Sequence, residues 1–140
     1  MLGQVRRSEL KRLKVLVVDD EEELVTALVE RLDIRGFDSE GVTSGKKALE
    51  RVAKDSFDVV LLDVKMPGIG GLKVIEQINE KPQDLAVILL TGHGSAVDRF
   101  IGTQMGCFEY LMKPVKIDEL VETIKRAAGC EEHSSEGGDQ

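Results

Sequence analysis

Four apolar runs in this chain each stop at a polar residue, and the types at those stops are the ones phosphoryl chemistry uses. Leu13-Lys14-Val15-Leu16-Val17-Val18 runs into Asp19-Asp20, and Val59-Val60-Leu61-Leu62 into Asp63. Leu85 to Leu90 ends at Thr91, and Cys107 to Leu111 ends near Lys113. Three carboxylates brought together cannot all stay ionised without help. A hard divalent cation relieves the conflict: Mg²⁺ takes oxygen ligands in octahedral geometry, at about 2.0–2.1 Å, and keeps some waters. Asp20 and Asp63 are the expected direct ligands, with the Lys65 backbone carbonyl a third and Asp19 holding a metal-bound water; Mn²⁺ would serve in place of Mg²⁺. Asp63 is then a carboxylate nucleophile of the kind that forms acyl phosphates. Lys113 supplies a second positive charge and Thr91 a hydroxyl donor, since phosphoryl transfer is mostly positioning and charge neutralisation.

Taken singly, each residue has a plainer reading. Asp63 opens a turn before Pro67-Gly68. Asp19-Asp20 cap a helix, Thr91 is a loop residue, and Lys113 is a solvated lysine. Four strand ends each carrying the required type are hard to assign to chance.

The elements that must position these residues follow from periodicity. Strands are expected at 13–18, 37–42, 58–62, 85–90 and 107–111. Helices are expected at 21–34, 44–54, 72–78, 95–104 and 117–128. Acidic Asp20 to Glu23 suits a helix N-terminus, and Gly36 ends that helix. The loop from Lys65 to Gly71 is rich in glycine, so backbone freedom is needed there. Strands that read as continuous apolar runs are buried on both faces, as in a parallel sheet. Right-handed crossovers then give an α/β fold: a doubly wound, five-stranded parallel sheet with helices on both faces, whose ligand site lies at the carboxyl ends of the strands.

Bulk properties narrow the function classes. A chain of 140 residues with 41% hydrophobic content suits a single aliphatic core, since aromatics are 4% and Trp is absent. The net charge of −7 argues against non-specific nucleic-acid binding and suits a protein partner or a metal cation. Cys107 reads as core and Cys130 as a thiol in a polar tail, with no disulfide framework or zinc site. The basic N-terminus lacks the apolar stretch of a signal peptide, and no window is long enough to span a bilayer. The expectation is a cytoplasmic protein that binds no membrane.

With those residues in hand, the sequence resembles the receiver domain of response regulators in bacterial two-component signalling, a flavodoxin-like fold. The stretches that carry the resemblance are VLVVDDE, VVLLDVKMPG, VILLTGHG and YLMKPV, in that order. It covers residues 13–128, leaving 1–12 as an N-terminal extension and 129–140 as a polar tail expected to be disordered. The resemblance implies that Asp63 takes a phosphoryl group from a phosphohistidine of a sensor histidine kinase or phosphotransfer protein, with Mg²⁺ bound. It implies that Asp19 and Asp20 are the acidic metal pair, Thr91 the switch hydroxyl, Lys113 the phosphate-contacting lysine and Tyr110 the switch aromatic. It also implies a Lys113-Pro114 peptide that is often cis. The domain would govern its own phosphorylation and dephosphorylation without turning over an external substrate. A downstream protein would read the face formed by the fourth helix, fifth strand and fifth helix. Gly70 departs from the pattern, standing where many such domains have Asp. Lys65 and His93, two past Asp63 and Thr91, are expected to flank the phosphoryl group and set its lifetime.

Rival classes fit less well. Haloacid-dehalogenase-type phosphatases want an Asp two residues past the nucleophile, where this chain has Lys65. A flavin-binding domain wants a phosphate-cradling loop after the first strand, and here that loop is Asp-Asp-Glu-Glu-Glu. A receiver that only docks would not need Asp63, Thr91 and Lys113 together. No helix-turn-helix pattern follows in these residues, so output is expected through partner contacts or through a segment beyond them.

Overall fold

In a computed structural model, the structure describes residues 12–64, 66, 68, 70–80, 84–92 and 103–129. In chain order the elements are β1 (Lys14–Val18), α1 (Glu22–Ile34), β2 (Asp38–Val42), α2 (Gly45–Lys54), β3 (Val59–Leu62), α3 (Gly71–Ile78), β4 (Ala86–Thr91), β5 (Glu109–Met112) and α4 (Ile117–Ala127). α4 is the fifth helix of the sequence reading. Most of the helix expected at 95–104 lies outside the described residues; Thr103 and Gln104 are helical.

The strands form one parallel sheet in the order β2-β1-β3-β4-β5. Alternation along each strand splits the core into two apolar layers, because successive side chains point to opposite faces. Leu16, Val18, Val60, Leu62, Val87 and Leu89 pack with Ala48 of α2 and with Val74, Ile75 and Ile78 of α3. Val15, Val17, Val59, Leu61 and Ile88 pack with Val25 and Leu32 of α1 and with Leu120, Val121 and Ile124 of α4. The doubly wound sheet read from the sequence is therefore present.

Most boundaries fall within a residue of expectation, and the start of β5 differs by two. β5 starts at Glu109, not at Cys107, because Gly106 turns the chain at φ +95° and pairing begins only where Phe108 N–H reaches the Val87 carbonyl at 2.7 Å. α1 does end at Gly36, at φ +96°, a left-handed conformation that glycine adopts without a side-chain clash. Among the described residues no helix is long and apolar enough to cross a membrane.

Candidate functional site

The strand order reverses its direction of growth between β1 and β3, and in sheets of this kind ligands sit at that switch point, beyond the strands' carboxyl ends. Parallel register decides what falls there. Val18 lies opposite Leu62, so Asp19 and Asp63, the next residues on each strand, emerge side by side. Thr91 lies opposite Met112, so Lys113 emerges beside it. Backbone bonds carry the ladder one step past the strands. Asp63 N–H donates to the Val18 carbonyl at 3.0 Å, Asp19 N–H to Val42 at 3.3 Å, and Lys113 N–H to Thr91 at 2.8 Å. The site residues thus sit on the rigid end of the sheet, not on free loops.

Asp19 and Asp63 are buried, at 3% and 7% exposure, while Asp20 faces solvent. One carboxylate oxygen from each of the three lies within 4.8 Å of the others. The Lys113 ammonium lies 2.5 Å from Asp19 Oδ2 and 3.8 Å from Asp63 Oδ2. The other Asp19 oxygen accepts the Glu21 N–H at 3.0 Å, so the residue also shapes the turn into α1. All-oxygen donors, two of them buried anions, fit a hard divalent cation.

Thr91 is buried at 1% exposure at the end of β4, and Tyr110 at 4% within the layer that faces α2 and α3. The Lys113-Pro114 peptide is cis. Lys65 and His93 lie outside the described residues. The structure adds one residue that the sequence reading treated only as flexible. A Cβ on Gly71 would sit 2.2 Å from the Asp63 carbonyl oxygen and 2.7 Å from Val64 Cα. Gly71 N–H donates to the Val64 carbonyl at 2.8 Å, which seats the start of α3 against the backbone of Asp63. The Gly70-Gly71 pair was the available signal, but not what it packs on.

The family profile for the response regulator receiver domain matches residues 15–125. The chain belongs to that family. Among its relatives, the transcriptional regulatory protein CpxR of Escherichia coli (strain K12) is 42% identical over 115 residues, 80% of this chain and 47% of CpxR. Response regulator MprA of Mycobacterium leprae is 35% identical over 113 residues, 81% of this chain and 50% of MprA. The receiver spans about half the length of the relatives it matches. A CheY-like receiver domain protein from Methanospirillum hungatei superposes with a TM-score of 0.81 over 85% of this chain and 95% of that one, at 24% identity, a likeness of fold. Response regulator TrrA of Thermotoga maritima, solved in complex with Mg²⁺-BeF, gives a TM-score of 0.75 at 34% identity over 82% of this chain and 98% of that one. As a response-regulator receiver, this domain serves two-component signalling, in which receivers meet histidine kinases and bind Mg²⁺ at an acidic pocket.

Proposed function

We propose that Asp63 is the phosphoacceptor, taking a phosphoryl group from a phosphohistidine of a sensor histidine kinase or phosphotransfer protein. The observation that carries this is the placement of Asp63, 7% exposed at the sheet's switch point, with an ammonium at 3.8 Å and two more carboxylates within 4.8 Å. An Asp63 carboxylate oxygen forms the new P–O bond as the P–N bond breaks. The electron pair stays with the donor imidazole, which takes up a proton. Asp20, Asp63 and the Lys65 carbonyl, with Asp19 behind a water, would hold Mg²⁺ or Mn²⁺, which supplies positive charge to the incoming phosphoryl group. Lys113 neutralises one phosphoryl oxygen, and the Thr91 hydroxyl donates to another.

The acyl phosphate adds charge and acceptor oxygens in a buried place. Thr91 moves to meet it, and Tyr110 fills the space behind, so that inward and outward rotamers form a two-state element. The buried ring of Tyr110 supports the inward half of that pair. The surface that responds is that of the helix expected at 95–104, β5 and α4, and a downstream protein reads it. Lys65 and His93 set how long the phosphoryl group lasts, and the domain turns over no external phosphoester. We place the domain at 13–128, in the cytoplasm, with no nucleic-acid or membrane contact of its own.

Intact mass after incubation with acetyl phosphate and Mg²⁺ tests this. The expected result is a gain of one phosphoryl group that is lost in Asp63→Asn and without metal. A gain that survives Asp63→Asn puts the acceptor elsewhere.

A further inference from the structure

We infer that Lys113 competes with the divalent cation for Asp19, so that cation entry hands the ammonium over to the Asp63 side of the site. This rests on the reading of Asp20 and Asp63 as ligands of the cation, with Asp19 holding it through a bound water. The observation is an asymmetry: Lys113 Nζ is 2.5 Å from Asp19 Oδ2 but 3.8 Å from Asp63 Oδ2. The ammonium rests on the carboxylate that metal chemistry needs, rather than on the phosphoacceptor. Asp19 Oδ1 takes the Glu21 N–H, so both oxygens of Asp19 have donors from the chain itself. The Asp19 and Lys113 side chains are 4% and 20% exposed, so water screens this pair weakly.

A dication drawn to the three carboxylates meets a positive charge already among them. The ammonium rides on a flexible four-carbon stem, and swinging toward Asp63 relieves the repulsion. The same swing brings it to where a phosphoryl oxygen on Asp63 would lie. Metal binding and phosphoryl binding are then coupled through one lysine: the cation is bound less tightly than its ligands allow, and the lysine is released to the phosphate by the cation's arrival.

The test is a Mg²⁺ titration of the full chain, followed by backbone amide shifts and by the side-chain Cε–Hε signal of Lys113. Lys113→Met keeps the length and removes the charge; its Kd for Mg²⁺ is expected to fall about tenfold, which is about 1.4 kcal/mol. Lys113→Arg keeps the charge and is expected to bind Mg²⁺ no more tightly than wild type. In wild type the Lys113 signal should move along the same isotherm as the amides of Asp19 and Asp63. An unchanged or weaker Kd in Lys113→Met, or a Lys113 signal that stays still while Mg²⁺ binds, overturns the inference and leaves the metal site standing. No Mg²⁺ binding by wild type or Lys113→Met overturns the metal reading and this inference with it.

Discussion

A parallel register and one missing side chain set the position of Asp63. The register delivers it next to Asp19, and Gly71 lets the first turn of α3 press on its backbone. A methyl group at Gly71 would meet backbone rather than a movable side chain, so the loop must shift. Overpacking of this kind costs about 1–3 kcal/mol. Gly71→Ala is therefore expected to lower the urea midpoint and also to slow acetyl phosphate labelling of Asp63. Loss of stability with unchanged labelling would mean that α3 moves and the site does not. Asp19, Asp63, Thr91 and Lys113 were legible in the sequence because each ends an apolar run. The contact of Gly71 was not, since closeness in space across eight residues leaves no periodic trace. The Asp19–Lys113 pair was hidden for the same reason across 94 residues.

At the scale of elements, legibility followed burial. β1, β3 and β4 are central strands flanked on both sides, and their unbroken Val and Leu runs declare them. β2 and β5 are edges. β2, Asp-Ser-Glu-Gly-Val, has no buried residue and read only as a weak strand, and in β5 only Tyr110 is buried. The end of the sheet remote from the site is tied by charge instead. Lys14 at the start of β1 bonds Asp55 at 2.5 Å, and Arg51 of α2 bonds Asp55 at 3.1 Å and Glu40 of β2. The hydrogen bond from Lys14, then that from the Ser56 N–H, holds the Asp55 carboxyl below its ordinary 3.8. A carboxyl depressed in the folded state adds stability that is present above the unfolded value and lost as pH falls through the folded one. The same hydrogen bond raises Lys14 above its ordinary 10.5, so its contribution is present below that value and lost as pH climbs through the folded one. Asp55→Asn should accordingly be less stable than wild type at pH 6, with a gap that narrows below about pH 4. Urea melts at pH 6 and pH 3 check this. A gap that widens in acid would contradict the assignment.

On the scale of the molecule, the site works against the fold that holds it. A chain of net charge −7 gathers three of its carboxylates within 4.8 Å at one end of its sheet, two of them buried. Lys113 offsets one charge, and the remaining repulsion and desolvation weigh on the folded state alone, because the unfolded chain disperses and hydrates these groups. Neutralising a member should therefore stabilise the protein where no cation is present. For Asp63→Asn in EDTA we expect a gain of about 0.5–2 kcal/mol, the usual size for relieving functional strain. A cation that binds only the folded state reverses the ranking. At a Mg²⁺ concentration of about 100 times Kd, wild type should gain about 2.7 kcal/mol by mass action, and Asp63→Asn, lacking an anionic ligand, much less. Thermal melts of both proteins, in EDTA and in saturating Mg²⁺, give four curves. The expected pattern is a crossing: the variant melts higher in EDTA and wild type higher in saturating Mg²⁺. A variant that melts lower in both conditions would mean that Asp63 holds the sheet end together through its own contacts, and that its charge is no burden to the fold.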